Sequence, residues 1–185
     1  MSDARDRWLD EGIHVLTEGG AAAVRIDRIA IRVGLSKGSF HHHFDGAEGY
    51  KRDLLEYFER LSVEALDSSI AEAGPTASAR EVLTHLTALL RREGPGLYTP
   101  RLDGAVRAWA SSDDDARAVV ARVDRARLDA LEAVWGRVAG SGEQTRLSAL
   151  LPYLLALGAG AIVPAVDADD LRGIYEILLP LVPEQ

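Results

Sequence analysis

Cysteine is absent from this 185-residue chain. That removes disulfides, thiolate nucleophiles and cysteine-based zinc sites at once, and leaves the redox compartment open. Lysine is almost absent too: Lys37 and Lys51 stand against 19 arginines among the 21 basic residues. No apolar run approaches the roughly 18 residues of a membrane span. The longest, "LSALLPYLLALGAGAIVPAV", is interrupted by Pro152 and rich in small residues, and reads as a buried or interface helix. The N-terminal "MSDARDRWLD" is charged and lacks the apolar core of a secretory signal, so a soluble cytoplasmic protein is expected. Catalytic signatures are missing as well. There is no serine elbow, phosphate-binding glycine loop or His-Glu-x-x-His, and the polar residues of 75–185 show no convergent acid/base set at helical spacing. No enzyme, metal or cofactor is expected.

What is present is globular composition, 47% hydrophobic and 27% charged. The net charge of -8 argues against a polyanionic partner, but its distribution matters more than its sum. Residues 21–52 carry six basic side chains (Arg25, Arg28, Arg32, Lys37, Lys51, Arg52) against Asp27, Asp45 and Glu48, a local +3; residues 61–185 carry 12 basic and 18 acidic, or -6. A mildly basic N-terminal patch sits on an acidic remainder.

Apolar residues recur at three and four throughout, with no convincing alternation by two, so the chain reads as all-α with nine helices. These are expected at about 4–18, 25–33, 36–43, from Asp45/Glu48 to about 73, 78–92, 100–110, 113–139, 143–162 and 168–179. Ser36, Asp45 with Glu48, Ser78 with Glu81, Ser112 with Asp115, and Asp167 supply the expected starts. Gly34 breaks the second helix, and Pro152 should kink the eighth.

Residues 25–44 put two short helices on either side of a tight glycine turn, the spacing of a helix-turn-helix unit. Ala30 is small where two helices must meet, and Ile29, Leu35, Phe40 and Phe44 can fill the wedge between them. The third helix opens on "SKGS", whose unpaired backbone N–H groups suit a phosphate. Gly38 lets the backbone come close to its target, and a helix of this size fits a DNA major groove. Three histidines, 41 to 43, stand on that helix. Consecutive helical positions lie about 100° apart, so the three do not converge on one metal ion, and a contact surface is the better reading.

The run "IDRIAIRVGLSKGSFHHHFDGAEGY" resembles the TetR family of one-component transcriptional regulators, matching at Ile29-Ala30, Gly34, Ser36, Gly38, Phe44 and Glu48. The resemblance implies an N-terminal DNA-binding head, residues 1–48, and a body of residues 49–185 for effector binding and dimerisation. It implies a ligand-responsive repressor that binds a palindromic operator as a homodimer, with double-stranded DNA and an unknown small molecule as partners. Arg25, Ser36, Lys37, Gly38, Ser39, His41, His42, His43 and Lys51 are the candidate DNA contacts. The chain departs from the family pattern at three places. His41 replaces the usual phosphate-contacting Tyr, Ala47 replaces the usual Lys of the fourth helix, and Arg25 stands where Thr or Ser often caps the second. Lys51 and Arg52 are left to compensate for Ala47.

In the body, His85, Leu86, Leu89, Tyr98, Trp109 and Trp135 are candidate effector contacts, each equally readable as ordinary core. Leu147, Leu150, Leu151, Leu154, Gly158 and Ile162 on the eighth helix, with Leu171, Tyr175 and Leu178 on the ninth, are candidates for the dimer interface. An all-helical small-molecule-binding module with weak or lost DNA binding, or an enzyme of unknown reaction, are the alternatives.

Overall fold

The structure is a computed structural model of the chain and describes residues 4–74, 77–88, 99–139, 142–164 and 166–178. Among the described residues there is no strand. The elements are α1 (Ala4–Gly19), a one-turn 3-10 helix (Ala21–Ala23), α2 (Ile26–Val33), α3 (Lys37–His43), α4 (Gly46–Ala73), α5 (Ala79–Ala88), α6 (Pro100–Ala110), α7 (Asp114–Ala139), α8 (Glu143–Ala161) and α9 (Ala168–Leu178). They fall into two compact units. One holds Met1–Ser62 and Glu93–Arg122, the other Val63–Arg92 and Val123–Gln185.

Helix ends follow from side chains competing for exposed backbone groups. Ser36 caps α3 by accepting from the Ser39 N–H at 3.2 Å. Ser78 and Glu81 form a reciprocal capping box on α5: the Ser78 N–H donates to the Glu81 carboxylate at 2.8 Å, and the Glu81 N–H donates to Ser78 Oγ at 3.3 Å. Asp167 accepts from the Asp170 N–H at 2.7 Å to start α9. At α7 the sequence expectation fails. Asp113, not Ser112, caps the helix, accepting from the Ala116 N–H at 2.9 Å, while the Ser112 hydroxyl turns back to the Trp109 carbonyl. A carboxylate out-competes a hydroxyl at the positive end of a helix. Glu48 ion-pairs with Lys51 at 2.9 Å one turn along α4.

The first unit is built on an aromatic box. Trp8 of α1, Phe40 and Phe44 at α3, and Tyr50 of α4 are all buried, with ring centroids 4.8 to 6.5 Å apart and mostly edge-to-face. The Tyr50 hydroxyl donates to the Trp8 carbonyl at 2.6 Å, and burial pushes this phenol well above its ordinary range. Gly12 lies against that hydroxyl, leaving no room for a side chain. Leu9, Leu16, Ile29, Leu54 and Phe58 complete the core, and α6 packs on α1 through its own buried face of Leu102, Val106 and Trp109.

The second unit centres on Val82, Leu83, Leu131, Val134, Trp135, Ala149 and Tyr153, with Ile70, Leu128 and Leu157 against them. A smaller cluster joins α8 to α9 through Ala159, Leu171 and Tyr175. The Tyr175 hydroxyl donates to the carbonyl of Pro152 inside α8 at 2.7 Å, and burial raises this phenol to about 12.

Candidate nucleic-acid interface

Helix α2 ends because Gly34 adopts the left-handed conformation, φ 68° and ψ 32°, which costs other residues a Cβ clash. The Leu35 N–H then bonds back to the Ala30 carbonyl at 3.2 Å, turning the chain into α3. Ile29 and Ala30 are buried on α2, Phe40 on α3, and Phe44 at the α3 C-cap. These four fix α3 by its inner face, as the sequence predicts. Its outer face carries Lys37, Gly38, His41 and His42, all exposed, with Ser39 and His43 half-buried. The His41 ring stands edge-on to Phe40, and the His42 and His43 rings meet at 5.1 Å. A Cβ on Gly38 would meet only Ser36 Oγ, at 3.5 Å, so the space at Gly38 is open on the outside.

The electrostatics are narrower than the charge count. Arg32 is held between Glu11 and Glu18 of α1, and its hydrogen bond keeps the Glu18 carboxyl below the usual range. Arg25 has no capping role as a side chain and pairs with Asp27 at 3.0 Å. Lys51 is taken by Glu48, Arg5 by Asp53, and Arg7 donates to the Val33 carbonyl. Of the six basic side chains in 21–52, Arg28, Lys37 and Arg52 carry no ion pair among the described residues, and all three are exposed. Two of the predicted contacts, Arg25 and Lys51, are thus partnered within the chain. Arg28, which the sequence reading did not single out, is not. Only the acidic partners distinguish these arginines, and partners across helices cannot be read from spacing.

The other candidate sites separate. Leu86 lies on α5 without a described side chain, and Leu89 and Tyr98 lie outside the described residues. Trp109 is buried in the first unit. Trp135 packs in the core of the second, and His85, half-buried there, places Nδ1 3.0 Å from the Glu81 carbonyl. On α8, Leu147, Leu151, Leu154, Gly158 and Ile162 are exposed, the four large side chains by 47 to 59%, while Leu150 is half-buried. Leu171 and Tyr175 are buried within the chain against Ala159, with Leu178 half-buried beside them, so they fasten α9 to α8. The outer residues of α9, Ile174 and Ile177, are the exposed ones, and the sequence reading missed them. The signal was there in the spacing, since Leu171 and Tyr175 share one face and Ile174 and Ile177 the other. Among the described residues no helix is long and apolar enough to cross a membrane.

A buried inner face, a left-handed glycine turn and a short helix offering its polar face define a helix-turn-helix unit. Residues 9–57 match the model of the family described as bacterial regulatory proteins, tetR family. A stretch of 66 residues is 30% identical to the uncharacterized HTH-type transcriptional regulator YerO of Bacillus subtilis (strain 168), covering 36% of this chain and 23% of that protein. The chain thus spans about a quarter of the curated relative that it matches. In fold it is similar to a TetR transcriptional regulator from Legionella pneumophila, with a TM-score of 0.80 at 16% identity over 99% of each chain. It is also similar to the transcriptional regulator FadR from Bacillus subtilis in complex with stearoyl-CoA, with a TM-score of 0.68 at 17% identity over 94% of this chain and 96% of that one. Over residues 9–57 the chain carries the pattern of the tetR family of bacterial regulatory proteins, and over its length it has the fold of the solved structures named above.

Proposed function

We propose that this chain is a transcriptional repressor that binds a palindromic DNA operator as a homodimer and answers to a small-molecule effector. The observation that carries the reading is α3. Its apolar side is locked into the aromatic box, while Lys37, His41 and His42 are exposed and Ser39 and His43 half-buried around an open Gly38. Residues 1–48 form the DNA-contacting part and 49–185 the part that binds effector and partner. Lys37, Ser39, His42 and His43 reach base edges or adjacent phosphates. Ser36, Gly38, His41 and Arg25 hold the backbone. His41 donates to phosphate from a ring nitrogen, where the family's usual Tyr would use its hydroxyl. Two-fold symmetry sets two copies of α3 one DNA turn apart, about 34–36 Å.

The dimer reading rests on α8. Thr145, Ala149, Tyr153 and Ala159 face inward, while Leu147, Leu151, Leu154 and Ile162 cover the opposite side and are exposed in the single chain. A helix apolar on both sides needs a partner on its second side. For the effector, FadR holds stearoyl-CoA on a similar fold, which supports a small-molecule site in the body. His85 and Trp135 are its described candidates here. Effector binding shifts the population of dimers whose heads fit the operator, a coupling of two sites through one equilibrium.

Titration with duplex DNA across a salt series tests this. Binding should weaken steeply as salt rises, because released counterions drive it. Gly38→Glu, an exposed change on α3, should abolish binding with dimerisation intact. Absence of wild-type binding at low salt would overturn the repressor reading in favour of a helical effector-binding module. A Gly38→Glu protein that still protects DNA would overturn the role given to α3.

A further inference from the structure

Ala47 removes the cation that the TetR pattern places at the start of α4, and two neighbours, Lys51 and Arg52, are available to replace it. They are adjacent in sequence but differ in surroundings. Lys51 is half-buried, with its ammonium on Glu48 at 2.9 Å, and it does not line the surface depression beside His43. Arg52 is exposed, has no ion pair among the described residues, and lines an open depression of about 360 Å³ together with His43, the last residue of α3.

The remaining lining is Asp45, Gly49, Asp53 and Glu56. Asp53 is already occupied by Arg5 at 3.0 Å. Asp45 and Glu56 carry no ion pair among the described residues, and Glu56 also lies in the field of Arg122. Glu56 stands at i+4 from Arg52, where an exposed pair contributes little and yields to a stronger anion. A phosphate offers Arg52 two oxygens in the plane of its guanidinium, a fork geometry that an ammonium does not match. His43 can donate to the same group from its free ring nitrogen.

We propose that Arg52, with His43 beside it, makes the backbone-phosphate contact at the C-terminal end of α3, the contact that Ala47 cannot make. This rests on the DNA-binding reading above. It assigns the replacement to one residue and gives Lys51 none of it.

The test measures affinity for a mixed-sequence DNA duplex against salt concentration for the full chain and four variants. Arg52→Gln should flatten the slope of log affinity against log salt by about 1 for each protomer bound, with the helical content unchanged. Arg52→Lys should restore the slope while recovering only part of the affinity. Lys51→Gln should leave the slope as in the wild type. Glu56→Gln should tighten binding, since it removes a charge that repels the phosphate. A wild-type slope in Arg52→Gln, or a flattened one in Lys51→Gln, would overturn the assignment while leaving DNA binding itself standing. No binding by the wild type at low salt would overturn both.

Discussion

At the scale of single residues, the decisive positions are small ones. Gly12 is needed because a Cβ there would lie 2.0 Å from the Tyr50 hydroxyl and 2.9 Å from Leu54. Gly12→Ala should therefore destabilise by about 1–3 kcal/mol, the cost of overpacking a closed core, read from denaturant unfolding midpoints. In a Tyr50→Phe background the penalty should shrink, because the nearest obstructing atom is gone. Equal penalties in both backgrounds would disprove the contact as the cause. This constraint was invisible in the sequence, where Gly12 is one glycine inside a helical stretch. Phe40, Phe44 and Ile29, by contrast, were legible as core, because a two-helix wedge has few places for large side chains. The consecutive spacing of the histidines said only that they point apart by about 100° each; the structure leaves His41 and His42 exposed and His43 half-buried.

At the scale of elements, helix positions followed from apolar periodicity, and the starts of α5 and α9 from their caps. What the sequence could not supply is which charges meet across helices. Arg32 joins α2 to two carboxylates of α1, at 2.5 Å to each of Glu11 and Glu18, and this tie has a pH signature. The Glu18 carboxyl is held below its ordinary range chiefly by its hydrogen bond to Arg32. A carboxylate with a depressed folded pKa contributes stability above its unfolded pKa, and that contribution is lost as pH falls through the folded value. The part of the stability difference between wild type and Arg32→Gln that comes from Glu18 should therefore be present at pH about 6 and shrink in acid below the ordinary carboxylate pKa of about 4.3. Chemical denaturation on both sides reads it directly, and a difference that does not shrink at the acid end would exclude the ion pairs as its source. Caps chosen between neighbours, as between Ser112 and Asp113, were the other weak point of the sequence reading, because one residue's shift changes the helix start without changing the periodicity.

At the scale of the whole molecule, the face of α8 carries the testable claim. Leu154 is 59% exposed in the single chain, between Leu147 and Leu151 on one side and Ile162 on the other. Leu154→Glu should give a monomer by sedimentation, with helicity retained, because a desolvated charge at the centre of an apolar interface is far costlier than one in water. Unchanged mass would rule out this face as the contact between copies. The apolar character of the ninth helix was legible, but its polarity was not. Leu171 and Tyr175 point inward because Ala159 leaves them space on α8, and so Ile174 and Ile177 are left outside.

The first compact unit is closed by a segment far along the chain: α6 lies on α1 and on the 3-10 turn, although 77 positions of sequence separate Pro100 from Ala23. The module is therefore not inheritable as a simple N-terminal cassette. A recombination event that joined only the first four helices to a foreign remainder would strip α1 of the surface formed by Leu102, Val106 and Trp109 and expose it to water. A graft that is to keep this unit's core closed has to carry α6 along with the first four helices.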